Sequence, residues 1–188
     1  MTSRRAFIAA LAAAPFAAHG CGFDGAFDGS LGFVHPRGIE VALAVRKAVE
    51  DGALPAEALA PVRPGPAGLW RASEYLRHFA RRLPARPDAP EFHLLLSEVA
   101  LWTHYAHDAQ GYAARIHAAA PAADGLTLVT DLSVVAALNE SRIGAQDALA
   151  RGLAIVEGAG AERLRALMQA PPASARATLA DRSAFGAH

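Results

Sequence analysis

The sequence lacks most of the features by which enzymes and nucleic-acid-binding proteins are recognised. Its only cysteine, Cys21, excludes an intramolecular disulfide and any zinc site built from several cysteines. Lysine plus arginine equals aspartate plus glutamate at 18 each, so there is no excess positive charge to neutralise nucleic-acid phosphates. The sequence also contains no nucleophile elbow, phosphate-binding glycine loop, HExxH helix or paired catalytic carboxylates. We therefore expect neither an enzyme nor a nucleic-acid-binding protein.

The amino end has the pattern of an export signal. Residues Ser3 to Ile8, with Arg4 and Arg5 adjacent, look like a twin-arginine signal, and an alanine-rich apolar stretch follows at 9–18. That stretch is shorter than the about 20 apolar residues that a membrane span needs. We expect residues 1–21 to be the signal and the mature protein to be periplasmic. Because 53% of the 188 residues are hydrophobic, the remainder can build one core.

Cys21 is the candidate site of lipidation, because it lies after Gly20 where a lipoprotein signal would be cleaved. Acylation of Cys21 would attach the protein to the membrane surface, since each buried methylene contributes roughly 0.8 kcal/mol. Ala18 stands where the lipoprotein pattern usually has leucine, so ordinary cleavage near the same place remains an alternative. The glycine-rich residues 22–37 are predicted to form a flexible tether.

The stretch from Gly125 to Met168 carries the fold prediction. Hydrophobic spacing predicts a strand, two short helices, a strand and a third helix, at 126–129, 132–138, 145–151, 153–157 and 161–168. A cap at Thr130 or Asp131 would begin the first helix, and Gly152 and Gly158 would bracket the second strand.

That order and spacing resemble the carboxyl-terminal half of the sterol-carrier-protein (type 2) lipid-transfer fold. The residues that carry the resemblance are Leu138, Ile143, Ala148, Leu149, Gly152 and Gly158. Ser141, Ala154 and Ala159 depart from the usual pattern of that family. Any small α+β domain with a similar strand-helix-helix-strand segment is the alternative.

The amino-terminal half adds two helices and three strands to this prediction. A helix over 38–50 lies outside the resemblance, and a helix over 69–83 leads into strands at 92–96, 100–105 and 112–118. The arginines of the second helix could meet anionic head groups or simply face water; they are Arg71, Arg77, Arg81 and Arg82.

The predicted fold class is therefore α+β, with an about five-stranded, mostly antiparallel sheet covered by helices, as in the sterol-carrier-protein family. One domain would span 38–169, with the family resemblance covering 69–169. Residues 170–188 are predicted to be a disordered tail, since they combine alanine, proline and serine with scattered charges.

The resemblance implies a cavity between sheet and helices that holds a lipid-like or other apolar ligand. By the resemblance, the candidate lining residues are Val134, Val135, Leu138, Leu149, Ile155, Leu164, Leu167 and Met168. Each of these residues could instead fill a closed core. The predicted function is an exported, membrane-tethered binding protein, for which no cofactor is firmly implied.

Two other functions stay open at the level of sequence. The first is an accessory protein of a metal or redox centre, with ligands among His93, His104, His107 and His117. His104 and His107 would point to opposite faces of a strand unless the chain turns between them. The second is a structural adaptor with a closed core that binds another exported protein through the helix over 38–50. Glu98, among apolar residues, is predicted to be either a buried acid with a raised pKa or a solvated turn residue.

Overall fold

The computed structural model describes residues 35–63, 65–84, 86, 88–108 and 111–171. The predicted signal, the lipidation candidate Cys21, most of the predicted tether and nearly all of the predicted tail lie outside these described residues. No helix within the described ranges is both long enough and apolar enough to cross a bilayer.

The described chain is an α+β fold with an open, five-stranded mixed sheet, which confirms the predicted class. The helices are α1 (Arg37–Glu50), a 3₁₀ helix (Ala56–Leu59), α2 (Gly65–Arg82), α3 (Leu132–Asn139), α4 (Ala145–Ala150) and α5 (Ala161–Gln169). The strands are β1 (Phe92–Leu96), β2 (Leu101–Asp108), β3 (Gly111–Ile116), β4 (Thr127–Thr130) and β5 (Ala154–Glu157).

One parallel pair within an otherwise antiparallel sheet determines where chain segments meet. The strand order is β3-β2-β1-β4-β5, and β1 pairs with β4 in parallel while the other neighbours are antiparallel. Leu96 pairs with Thr130 at the carboxyl end of both strands, and the Ser97 N–H donates to the Thr130 carbonyl at 3.0 Å. The residues that follow β1 and β4 therefore emerge side by side at one edge of the sheet.

Helix α2 packs on one face of the sheet through an aromatic stack. The Tyr105 ring lies parallel to Phe92 with centroids 4.8 Å apart and meets Phe79 of α2 edge-on at 5.9 Å. The Tyr105 hydroxyl donates to the Leu76 carbonyl at 3.0 Å, so this buried tyrosine leaves no unpaired donor. The ring contacts and this hydrogen bond together hold α2 on the sheet.

Helix α1 contacts the opposite face. The strand register places Trp102 and Glu157 on the face away from Tyr105, and both contact the chain where α1 begins. The His35 Nε2 lies 3.0 Å from a Glu157 carboxylate oxygen, and the His35 ring meets Trp102 edge-on at 6.3 Å. Val41 and Val45 of α1 are buried. The helix that lies outside the sequence resemblance is therefore part of the packed structure.

Two buried threonines of the sheet provide a matched test of this core. Thr130 donates its hydroxyl to the Leu153 carbonyl at 2.9 Å, whereas the hydroxyl of Thr103 has no hydrogen-bond partner among the described residues. Both residues are at most 1% exposed. Thr130→Val should lower the free energy of unfolding by about 1 kcal/mol, because a buried hydrogen bond is lost. Thr103→Val should leave that free energy unchanged or raise it, because the substitution removes an unpaired buried hydroxyl. Urea denaturation measures both variants, and equal destabilisation would contradict the assignment.

Candidate functional site

A groove of about 1020 Å³ lies at the sheet edge where β1 and β4 end. Its walls come from α1, the 3₁₀ helix and α2, and its floor comes from the residues after β1 and β4 and from the first two turns of α3. Representative wall residues are Ala42 and Val45 on α1, Leu59 on the 3₁₀ helix and Trp70 on α2. Most of the lining surface is apolar.

Two carboxyls meet the first turn of α3 at the floor of this groove. Asp131 caps the helix by accepting from the backbone N–H of Ser133 at 2.8 Å and from its hydroxyl at 2.6 Å. Glu98, which follows β1, accepts from the Leu132 N–H at 2.7 Å. A helix N-terminus favours negative charge because its first N–H groups are free to donate. The capping role predicted for Asp131 as one of two candidates is confirmed.

The surrounding protein changes the acidity of both groups. Burial raises the pKa of Glu98 well above its ordinary value, the negative charge of Asp131 adds to that increase, and the Leu132 N–H opposes it. Burial likewise raises the pKa of Asp131, while the hydrogen bonds from Ser133 lower it. Glu98 nevertheless keeps solvent-exposed surface, because the groove opens to water above it. Water in the groove therefore limits the desolvation of the Glu98 carboxyl.

The α2 wall adds aromatic and cationic side chains. Trp70 is 67% exposed, and the Arg71 guanidinium lies 5.8 Å from the centre of the half-buried Tyr75 ring. His78 and Arg81 follow along the same wall. The groove thus combines a mainly apolar surface with two carboxyls at its floor and with aromatic and cationic side chains on its α2 wall.

The predicted lining residues do not form one cavity. Leu138, Leu167 and Met168 line a second opening of about 400 Å³ between the carboxyl ends of α2, α3 and α5. The other predicted residues line neither opening: Val134, Val135 and Leu164 are completely buried, and Leu149 and Ile155 are half-buried against the core.

The four candidate metal ligands also do not come together at one site. His93 and His104 pair across β1 and β2 with ring centroids 4.7 Å apart, and the His104 Nε2 lies 3.4 Å from a carboxylate oxygen of Glu91. His107 is three positions beyond His104 on the same strand and therefore lies on the other face of the sheet. His117 follows β3 in a left-handed conformation with φ 62°. Within the described ranges, no three His, Cys, Asp or Glu side chains come together as a metal site would require.

Sequence reasoning identified two parts of the groove and missed the rest. It singled out Glu98 as an acid among apolar residues and Arg71 and Arg81 as cations on one helix. The groove is formed by segments that are distant in sequence. The signal in the sequence that could have indicated it was the pair of acidic residues that follow two apolar strands.

Comparison of the chain with models of protein families, with curated proteins and with solved structures finds no match. The candidate site therefore rests on the geometry of this chain.

Glu98 should make the stability of the protein pH-dependent. Because its pKa is higher in the folded protein than in the unfolded chain, the unfolded state ionises first as the pH rises. The free energy of unfolding therefore falls as the pH rises from below the ordinary glutamate pKa through the folded-state pKa. Glu98→Gln removes this ionisation but keeps an oxygen that can accept from the Leu132 N–H.

We expect Glu98→Gln to melt about 2 °C above wild type at about pH 8 and to match wild type at about pH 4. Thermal melts followed by circular dichroism measure the difference. Glu57→Gln is the control, because Glu57 lines the same groove on the exposed 3₁₀ helix. A gain for Glu98→Gln that is constant with pH, or equal to that of the control, would count against the raised pKa.

Proposed function

We propose that this protein is an exported, membrane-tethered carrier that binds a lipid-like or other apolar ligand in the groove between α1 and α2. The observation that carries the proposal is the groove of about 1020 Å³, a volume at the upper end of small-molecule sites. Large apolar side chains are left in water at its walls, since Trp70 is 67% and Leu59 is 51% exposed. A ligand that covers these side chains would remove them from water.

The energetics favour a ligand with an apolar chain. About twelve methylenes transferred out of water contribute on the order of 10 kcal/mol before the cost of immobilisation. The groove is open along its mouth, so a bound chain keeps part of its surface in water and gains less than this. The free energy gained by the part of the chain that leaves water is still compatible with a ligand that is bound and released reversibly.

The floor provides a place for the polar end of such a ligand. A carboxyl with a raised pKa can donate a hydrogen bond when it is protonated and accept one when it is ionised. Glu98 therefore suits a ligand with a hydroxyl or carbonyl group at the end of its apolar part.

Membership of the sterol-carrier-protein fold is part of the same proposal. It is supported by the element order from β4 through α3, α4 and β5 to α5, and by the total of five strands. The proposed site differs from the one implied by the resemblance, because it lies at the sheet edge and uses α1. The alternative of a histidine-bound metal has less support, since only His93 and His104 come together.

Variants that fill one opening at a time test the site. Ala42→Trp places a bulky side chain on the α1 wall of the groove, Ala145→Trp does so in the second opening, and Ala166→Trp changes an exposed alanine that lines neither. We expect Ala42→Trp to reduce binding of a fluorescent fatty acid about tenfold or more, because the tryptophan occupies the volume of the chain. The other two variants should bind like wild type.

The readouts are fluorescence titration and native mass spectrometry before and after organic extraction, with circular dichroism to verify folding. Loss of binding in Ala145→Trp alone would move the site to the second opening. Wild type that binds no apolar probe would contradict carriage and favour the adaptor function.

Export and tethering have their own test. Replacing Arg4 and Arg5 with lysine should leave the protein in the cytoplasm, because the twin-arginine pair is the predicted export determinant. Cys21→Ser should move the protein from the membrane fraction to the soluble periplasmic fraction, because no acyl chain can then be attached. Immunoblots of cell fractions measure both. Membrane association that survives Cys21→Ser would contradict anchoring through Cys21.

A further inference from the structure

Large hydrophobic residues are exposed on the elements that form the groove. Among the described residues they are Ile39 at 43%, Leu43 at 63%, Leu59 at 51% and Trp70 at 67% exposure. Leu59 and Trp70 line the groove, whereas Ile39 and Leu43 lie on α1 and are not among the lining residues. Single exposed apolar residues are ordinary, but two large ones on the walls of one groove indicate an interaction surface.

Arginines that form no ion pair within the described part of the chain lie beside these apolar residues. Arg63, Arg71 and Arg81 are exposed, line the groove, and make no salt bridge with any other described residue. By contrast, Arg77 donates to Glu74 at 2.8 Å on the same helix. Four acids also line the groove: Glu57, Glu74, Glu98 and Asp131. Glu74 is paired with Arg77, and Glu98 and Asp131 accept hydrogen bonds at the N-terminus of α3, which leaves Glu57 as the lining acid without such a partner among the described residues.

The spacing of the arginines indicates the shape of the partner. Arg71 and Arg81 are ten residues apart on one helix, which separates them by about 15 Å along its axis. One head group of a single bound ligand is too small to reach both guanidinium groups. A continuous anionic surface can meet both at once.

We propose that the groove-lining surface docks on a bilayer surface rich in anionic lipids. The docking face consists of Leu59, Arg63, Trp70, Arg71 and Arg81, all of which line the groove. Apolar side chains flanked by arginines are the combination that interfacial membrane segments use, with tryptophan at head-group depth and cations on the phosphates. Docking does not require the groove to hold a ligand, but it would bring the groove mouth to the membrane. A carried lipid could then enter without crossing water.

The fluorescence of Trp70 provides a site-specific test. The chain has two tryptophans, so Trp102→Phe leaves Trp70 as the single emitter. The full-length chain also carries Cys21→Ser, so that no acyl group attaches it to lipid. It is mixed with vesicles of phosphatidylglycerol and phosphatidylcholine, or of phosphatidylcholine alone, each with a doxyl-labelled lipid as quencher. We expect a blue shift and quenching of Trp70 with the anionic vesicles and a much weaker effect with the neutral ones.

Matched charge variants complete the test. Arg71→Gln with Arg81→Gln should weaken partitioning onto anionic vesicles about tenfold or more, since each arginine near the surface contributes roughly 1 kcal/mol. Arg142→Gln with Arg165→Gln changes the net charge equally, but both residues lie outside the docking face and form ion pairs. Partitioning of this control should stay within about twofold of the parent.

Equal losses in the two double variants would overturn the proposal, as would vesicle binding without quenching of Trp70. If the protein binds fatty acid but does not bind vesicles, docking alone would be overturned and the carrier function would stand. Vesicle docking by a protein that binds no fatty acid would overturn the carrier function and leave docking standing.

Discussion

The parallel pairing of β1 with β4 is the constraint on which the groove depends. Because both strands run in the same direction, their carboxyl ends stop at one edge of the sheet, with Leu96 opposite Thr130. The next residues of each strand therefore place Glu98 and Asp131 together at the start of α3. An antiparallel arrangement of these two strands would put the two acids at opposite edges. Strand topology thus creates a floor with two carboxyls on one helix N-terminus.

Helix α2 can form a wall of the groove because one of its sides packs on the sheet and the other is exposed to solvent. Its inner side packs Leu76 and Phe79 against Tyr105, which fixes its distance from the sheet. Its carboxyl-terminal half is joined to α3, because the Asn139 side-chain amide donates to the Tyr75 carbonyl at 2.9 Å and Arg82 donates to the Asn139 carbonyl at 2.6 Å. The wall and the floor are therefore held together by hydrogen bonds as well as by packing. The outer side of α2 is left free to present aromatic and cationic groups.

Local elements could be predicted from the sequence because local chemistry determines them. Gly152 and Gly158 both adopt positive φ around β5, and a side chain at Gly158 would collide with the backbone of Gly125. The alternation of a strand likewise separated His104 from His107, as expected. Element ends were less predictable: α2 begins at Gly65 instead of 69, and β2 continues to Asp108 instead of ending at 105. Pairing with Gly111 across the turn extends β2, and periodicity alone does not reveal that pairing.

Local sequence patterns could not predict the groove, nor whether the interior is filled by side chains or leaves a cavity. Periodicity shows that Val134 and Leu164 face inward, but it does not show whether the space they face is filled by other side chains. Net charge is similarly uninformative about a surface. The chain is formally neutral, yet the cations of α1 are paired, as in Arg46 with Glu50 and Lys47 with Asp51. On α2, Arg77 is paired with Glu74, but Arg71 and Arg81 form no ion pair with another described residue. Since salt screens charges beyond about 8 Å at physiological ionic strength, a nearby anionic surface responds to the unpaired arginines and not to the neutral total. The same equality of positive and negative residues that argues against nucleic-acid binding is therefore compatible with a locally basic face beside an apolar groove.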